Sequence, residues 1–229
     1  MAGVERRKVR YYATAGLFIV LLLGSVGGFS QLLKRNQTLL RQSDESLQAI
    51  RKSSAQTIQT LASITEKHDP YAAGHQRKTT ELAVAIGLQL ELDPERLERI
   101  RISAALQDVG KIAIPGEILS KPAVLTPIEH DLVKLHVSEG VEILRAADLP
   151  KQVVTAVLQH HERLDGKGYP HGLGAENLSL PMRVMAVADV FTALTESRPY
   201  RDGMELASVL ACMRDMAAKN QLDQGLVDL

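Results

Sequence analysis

The chain has 229 residues, with 27 Lys and Arg balancing 27 Asp and Glu, 45% hydrophobic residues and 3% aromatics. That composition is ordinary for a folded protein and excludes a collagen or a disordered tail. A single cysteine, Cys212, excludes an intramolecular disulfide framework and any multi-cysteine zinc site.

Charge is unevenly placed along the chain. Residues 1–66 carry nine Lys or Arg against four Asp or Glu, and residues 67–229 carry eighteen against twenty-three. A basic amino end beside an acidic body argues against direct nucleic-acid binding and suits a basic segment near anionic lipid. Residues 1–10 form that basic segment, with Arg6, Arg7, Lys8 and Arg10. Residues 11–33 then run without a charged side chain and are most apolar over residues 16–23. As a helix this run would be about 34 Å long, enough for a hydrocarbon core of about 30 Å. Tyr11 and Tyr12 stand where interfacial aromatics belong. The expectation is one transmembrane helix; a secretory signal without a clear cleavage site and a buried core helix are the alternatives. Basic residues lie on both sides of the run, so charge alone does not orient it.

Residues 34–66 contain no Pro or Gly and read as a helical linker. Leu33, Leu40, Leu47 and Leu61 share a seven-residue register, with Ser54 in the missing place and Ile50, Thr57 and Ile64 on the companion seam. This partial heptad predicts either a parallel coiled coil, and so a homodimer through residues 34–66, or a single amphipathic helix lying on the body. Asp69-Pro70 ends the helix, because the residue before Pro avoids the α region.

Residues 67–229 read as an all-α helical bundle of about six to eight helices. No stretch alternates with the period of a strand. Asp93-Pro94-Glu95 opens a helix with a capping Asp, a Pro at the first position and an acidic first turn. Thr126-Pro127-Ile128-Glu129 repeats this as a capping box. Pro150 and Pro181 open two more helices, and Gly166, Gly168, Pro170, Gly172 and Gly174 mark an ordered loop over residues 163–180.

His75, Asp108, His136, His160, His161 and Asp189 each lie in or beside an apolar helical segment. A carboxylate in such a segment is costly unless paired, hydrogen-bonded or bound to a cation. Taken one at a time, each is better read as a satisfied core residue or a cap. Several on different helices of one bundle predict a shared metal site, and mixed imidazole and carboxylate ligands suit Fe, Mn, Zn, Co or Ni more than Ca. Two ions bridged by one carboxylate would activate a water and clamp a phosphate ester.

At this point the chain resembles a known family. His160-His161-Glu162-Arg163-Leu164-Asp165-Gly166-Lys167-Gly168-Tyr169-Pro170 is similar to the HHExxDGxGYP motif of HD-GYP proteins. Leu106-Gln107-Asp108-Val109-Gly110-Lys111-Ile112 resembles the family's LHDIGKI, and residues 118–122, 136–140 and 187–201 resemble its ILxKP, HPxxG and VADVFDALTSxRPYR blocks in order. The resemblance runs from about residue 65 to the end. It implies an HD-type helical fold over residues 67–229 and a phosphodiesterase that hydrolyses cyclic di-GMP to pGpG or GMP in bacterial signalling. It further implies His75, Asp108, His136, His160, His161 and Asp189 as ligands of a divalent di-metal site, Fe, Mn or similar, with Asp108 bridging. Lys111 matches the lysine near the scissile phosphate, and Tyr169, Arg198 and Arg201 match positions that bind the dinucleotide.

Two departures follow. Gln107 stands where the family has the His of its HD pair, and a neutral amide is a poorer ligand than an imidazole. The outcome is either weakened hydrolysis or a degenerate module that senses or scaffolds. Tyr71 stands where members with three metals carry Glu, which points to two metals at most. A diguanylate cyclase or a response regulator is the expected protein partner. Localisation is expected at the inner membrane, single-pass, with the catalytic domain in the cytoplasm.

Overall fold

The computed structural model describes residues 2–69, 74–197 and 202–229. Within the first helix, the side chains of residues 2–14, 17, 19–27 and 29 lie outside that description. The described chain is helical: α1 (Ala2–His68), α2 (His75–Gln89), α3 (Pro94–Leu106), α4 (Gly116–Leu119), α5 (Pro127–Lys134), α6 (His136–Ala146), α7 (Lys151–Gln159), α8 (Leu180–Thr195), α9 (Leu206–Ala218) and α10 (Gln224–Val227). Short 3-10 turns lie at Val109–Ala113 and Ala175–Asn177, and an isolated bridge pairs Asp165 with Gly174. The chain divides into two compact units, residues 1–55 and 56–229.

The transmembrane helix expected over residues 11–33, and the single-pass membrane localisation built on it, are corrected. Among the described residues no helix is long and apolar enough to cross a membrane. Where the side chains of α1 are described, Lys34, Arg35, Arg41, Asp44, Glu45, Arg51 and Lys52 recur too closely to leave the roughly 20 apolar residues that a span needs. Most side chains of residues 11–33 themselves lie outside the described residues.

The start signals have the physical form their residues dictate. The Asp93 carboxylate accepts from the Arg96 N–H, with Pro94 at the first helical position of α3. Thr126 and Glu129 exchange hydrogen bonds in a complete capping box at the head of α5. Both devices satisfy amide hydrogens that a helix start would otherwise leave unpaired.

Within the unit 56–229, apolar side chains form two main clusters. Ala83, Ile86, Ile100, Ala104, Val184, Val187, Ala188, Val209 and Met213 join α2, α3, α8 and α9. Leu106, Val109, Val141, Leu144, Val154 and Val157 join α3, α6 and α7, and Ile58 from the last turns of α1 is buried among them.

One close crossing positions the chemistry. Gly110 sits in the 3-10 turn directly against α6, where an added Cβ would overlap the His136 carbonyl oxygen and the Gly140 N–H. Only a residue without a side chain allows that approach. It sets Asp108, at the head of the turn, beside His136, at the head of α6. Gly110→Ala is expected to destabilise the domain by about 2 kcal/mol or more, because the clash is with backbone that cannot turn aside. Urea unfolding monitored by circular dichroism checks this; an unchanged midpoint would contradict it.

Candidate metal centre

The cluster is assembled from the ends of helices. His136 opens α6, and its ring Nδ1 donates to the Val133 carbonyl, 2.7 Å away in the last turn of α5. His160 caps α7, and its Nδ1 donates to the Val157 carbonyl at 2.6 Å. Carbonyls in a last helical turn lack intrahelical partners, so each imidazole completes a helix end. Because a carbonyl only accepts, Nδ1 carries the hydrogen in both rings, and each Nε2 is left with a lone pair. Those two Nε2 atoms lie 3.5 Å apart. Asp108 Oδ1 stands 3.5 Å from the His136 Nε2.

Both rings are fully buried. Burial holds the His136 pKa down to about 4, with the His160 ring and Lys111 pushing the same way against the Asp108 carboxylate. Burial also lowers His160 and, strongly, His161, which lies against both. Neutral imidazoles and a carboxylate therefore face one another with lone pairs only. Such a set calls for a cation, and ligand atoms of His136, His160 and His161 lie within 4.8 Å of one another. The residues present fit a divalent metal.

A second group adjoins it through His161, whose Nδ1 is 3.8 Å from Asp189 Oδ2. His75, the first residue of α2, lies between two acids, with Nε2 3.2 Å from Asp189 Oδ1 and Nδ1 2.8 Å from Glu196 Oε2. Lys78 backs Glu196 at 2.9 Å. The Gln107 amide nitrogen donates to Asp189 Oδ1 at 2.9 Å, and its buried Oε1 has no hydrogen-bond partner among the described residues. Burial disfavours a charge on His75, but its hydrogen bonds to Asp189 and Glu196 prevail and carry its pKa up to about 9. Burial opposes ionisation of Asp189 too, yet His75 and the neighbouring imidazoles hold its carboxyl well below the usual range.

Lys111 links the cluster to the end of α1. Its Nζ lies 3.1 Å from Asp108 Oδ2 and 3.2 Å from Asp69 Oδ2. Against the cost of burial, Lys111 first and then the imidazoles hold the Asp108 carboxyl far below its ordinary value.

The glycine-rich loop is tied down by Glu162, buried just beyond α7, which accepts from the His171 and Leu173 N–H groups at 2.7 and 2.9 Å. Gly168 passes so close to His161, Glu162 and Arg163 that a Cβ would meet their backbone. This lays the Tyr169 ring over His161, with centroids 4.7 Å apart. Burial, then Asp189 and Asp108, pushes the Tyr169 phenol above its ordinary pKa, so it stays neutral.

The structure thus brings His75, Gln107, Asp108, Lys111, His136, His160, His161, Tyr169 and Asp189 into one neighbourhood. Arg198, Arg201 and Tyr71 lie outside the described residues. Sequence reasoning missed Asp69, Glu162 and Glu196. Glu162 and Glu196 stand inside the motif blocks, so adjacency to candidate ligands was the available signal; for Asp69 the only signal was its place at the end of α1.

Comparison with known proteins gives the family of the chain. The HD domain family matches residues 59–226. The chain belongs to the HD-GYP branch of that family. A 3'3'-cGAMP-specific phosphodiesterase of Vibrio cholerae is 34% identical over 169 residues, covering 74% of this chain and 39% of its own length. A cyclic di-GMP phosphodiesterase response regulator of Xanthomonas campestris is 37% identical over 168 residues, covering 72% and 44%. The chain therefore spans about two fifths of the curated relatives it matches. Among solved structures, the HD domain of a Listeria monocytogenes phosphodiesterase in complex with cyclic-di-AMP aligns with a TM-score of 0.57 at 16% identity, covering 74% of this chain and 90% of that one, a likeness of fold. An HD-GYP domain implies a divalent metal, and its imidazole cluster is in place.

The raised His75 pKa has a consequence for the metal-free protein. Its stabilisation is fully present below its unfolded value of 6.5 and is lost as pH rises through about 9. The remaining imidazoles of the cluster are lowered, so they are neutral across this window. The chelator-treated chain is expected to lose stability on the order of 3 kcal/mol between pH 6.5 and 9.5. Urea unfolding at the two pH values checks it; constant or rising stability would contradict the ion-paired His75.

Proposed function

We propose that this chain is a metal-dependent phosphodiesterase that opens a cyclic dinucleotide, with cyclic di-GMP the substrate and pGpG or GMP the product. The convergence of the His136 and His160 lone pairs with Asp108 at 3.5 Å carries this reading. The activities named for the relatives support it.

His136, His160, His161 and Asp108 would hold a divalent ion such as Fe or Mn, with His75 and Asp189 beside them. Such an ion supplies Lewis acidity toward a phosphoryl oxygen and lowers the pKa of a water. The chain's own groups do the rest. Lys111 offers a mobile positive charge beside Asp108, and Asp69 holds it to that side. Tyr169, neutral and stacked on His161, gives a flat face for a base. Arg198 and Arg201 match the positions at which guanidinium forks engage phosphate or guanine edges. The exposed Leu33, Leu40, Leu47 and Ile50 of α1 support pairing of residues 34–66 with a second copy.

A second reading has its own observation. The Gln107 amide already donates to Asp189, the hydrogen bond a module that binds nucleotide without turnover would retain. Incubating the purified chain with Mn2+ or Fe2+ and cyclic di-GMP, and separating products by chromatography, distinguishes the two. Linear product is expected, and Lys111→Met is expected to reduce turnover about 100-fold or more without loss of bound metal. Tight nucleotide binding with no product, despite bound metal, would favour the second reading.

A further inference from the structure

The two halves of the buried cluster differ in what their polar atoms still lack. Around His136, His160 and His161 the converging atoms are acceptors. The Nδ1 hydrogens of His136 and His160 are committed to the Val133 and Val157 carbonyls. No hydrogen is left to lie between the two Nε2 atoms and Asp108 Oδ1. That half is incomplete without a cation.

Around Asp189 the situation is reversed. Asp189 Oδ1 accepts from the Gln107 amide at 2.9 Å and faces the His75 Nε2 at 3.2 Å. The other ring nitrogen of His75, Nδ1, lies 2.8 Å from Glu196, which Lys78 balances. An amide nitrogen has no lone pair for a metal, and its hydrogens take up the oxygen that a cation would use. Turning the amide over would set Oε1 against a carboxylate oxygen at the same 2.9 Å with no hydrogen between them. Asp189 therefore fixes the orientation, and Oε1 is left without a partner among the described residues.

We infer that this chain holds one divalent cation, in the half built from His136, His160, His161 and Asp108, and that Gln107 closes the His75–Asp189 half by hydrogen bonding in place of a second ion. This inference rests on the metal-dependent reading above and deepens it. Gln107 is a positioning residue: it holds Asp189 and, through it, His75, with a neutral donor where an imidazole would offer a lone pair. The cluster keeps its shape at that half whether or not metal is present.

The test is a count of ions rather than of turnovers. The full chain is stripped with chelator, reloaded with excess Mn2+, desalted and measured for manganese per chain by inductively coupled plasma mass spectrometry, with circular dichroism to confirm folding. One ion per chain is expected for the natural sequence, two for Gln107→His, one for His75→Ala and none for His136→Ala. Two ions in the natural sequence would overturn the inference and leave metal-dependent hydrolysis standing. No ion in any variant would overturn both. If Gln107→His does not fold, the other two variants decide: loss of the ion from His75→Ala with retention in His136→Ala would place it in the wrong half and overturn the proposal.

Discussion

His136 and His160 each give their Nδ1 hydrogen to a carbonyl of the preceding helical turn. In that one act they complete two helix ends, lock two rings and turn two lone pairs inward. The imidazoles are then neutral in the interior for a physical reason, since burial opposes their charge and no proton is available to share. The same bonds orient the rings before any ion arrives, so little reorganisation is needed on binding. The site is thus a property of helix termini, with the backbone as its outer layer of support.

Around those rings the domain manages buried carboxylates by two different means. Asp108 is held by Lys111, which Asp69 steadies from the far side. Asp189, in the middle of the apolar α8, is held by His75 and by Gln107. Leaving either acid without such partners would cost several kcal/mol. The first arrangement leaves Asp108 Oδ1 turned toward the imidazoles, and the second uses up Asp189 Oδ1. This asymmetry separates the chain from a symmetrical two-ion site and traces to a single residue, Gln107.

Much of this was legible in the sequence where the signal is local. The capped starts at Asp93-Pro94 and Thr126-Pro127 depend on residues within one turn, and the helical period of the body is read directly from its apolar residues. The candidate cluster was legible because polar residues such as Asp189 stand out within an apolar run. Long-range placement was not legible. Nothing near Gly110 in the chain says that it meets the His136 carbonyl, and nothing near Glu196 says that it reaches His75, 121 residues away. The run at 11–33 suggested a membrane span by its length, its lack of charge and its flanking tyrosines; among the described residues no helix is long and apolar enough for one. Residues 56–66 read as part of a linker, whereas Ile58 and Ala62 are buried within the second unit, since a partial heptad and a face packed on a core share the same spacing.

The central claim is that neutral imidazole nitrogens from α6 and the end of α7 converge on a cation. Anomalous diffraction from crystals of the manganese-loaded chain, collected at the manganese edge, tests it most directly. The account predicts a peak about 2.2 Å from the Nε2 atoms of His136 and His160, within bonding range for a first-row divalent ion. A peak bound elsewhere, or no peak with the two nitrogens still 3.5 Å apart, would contradict it.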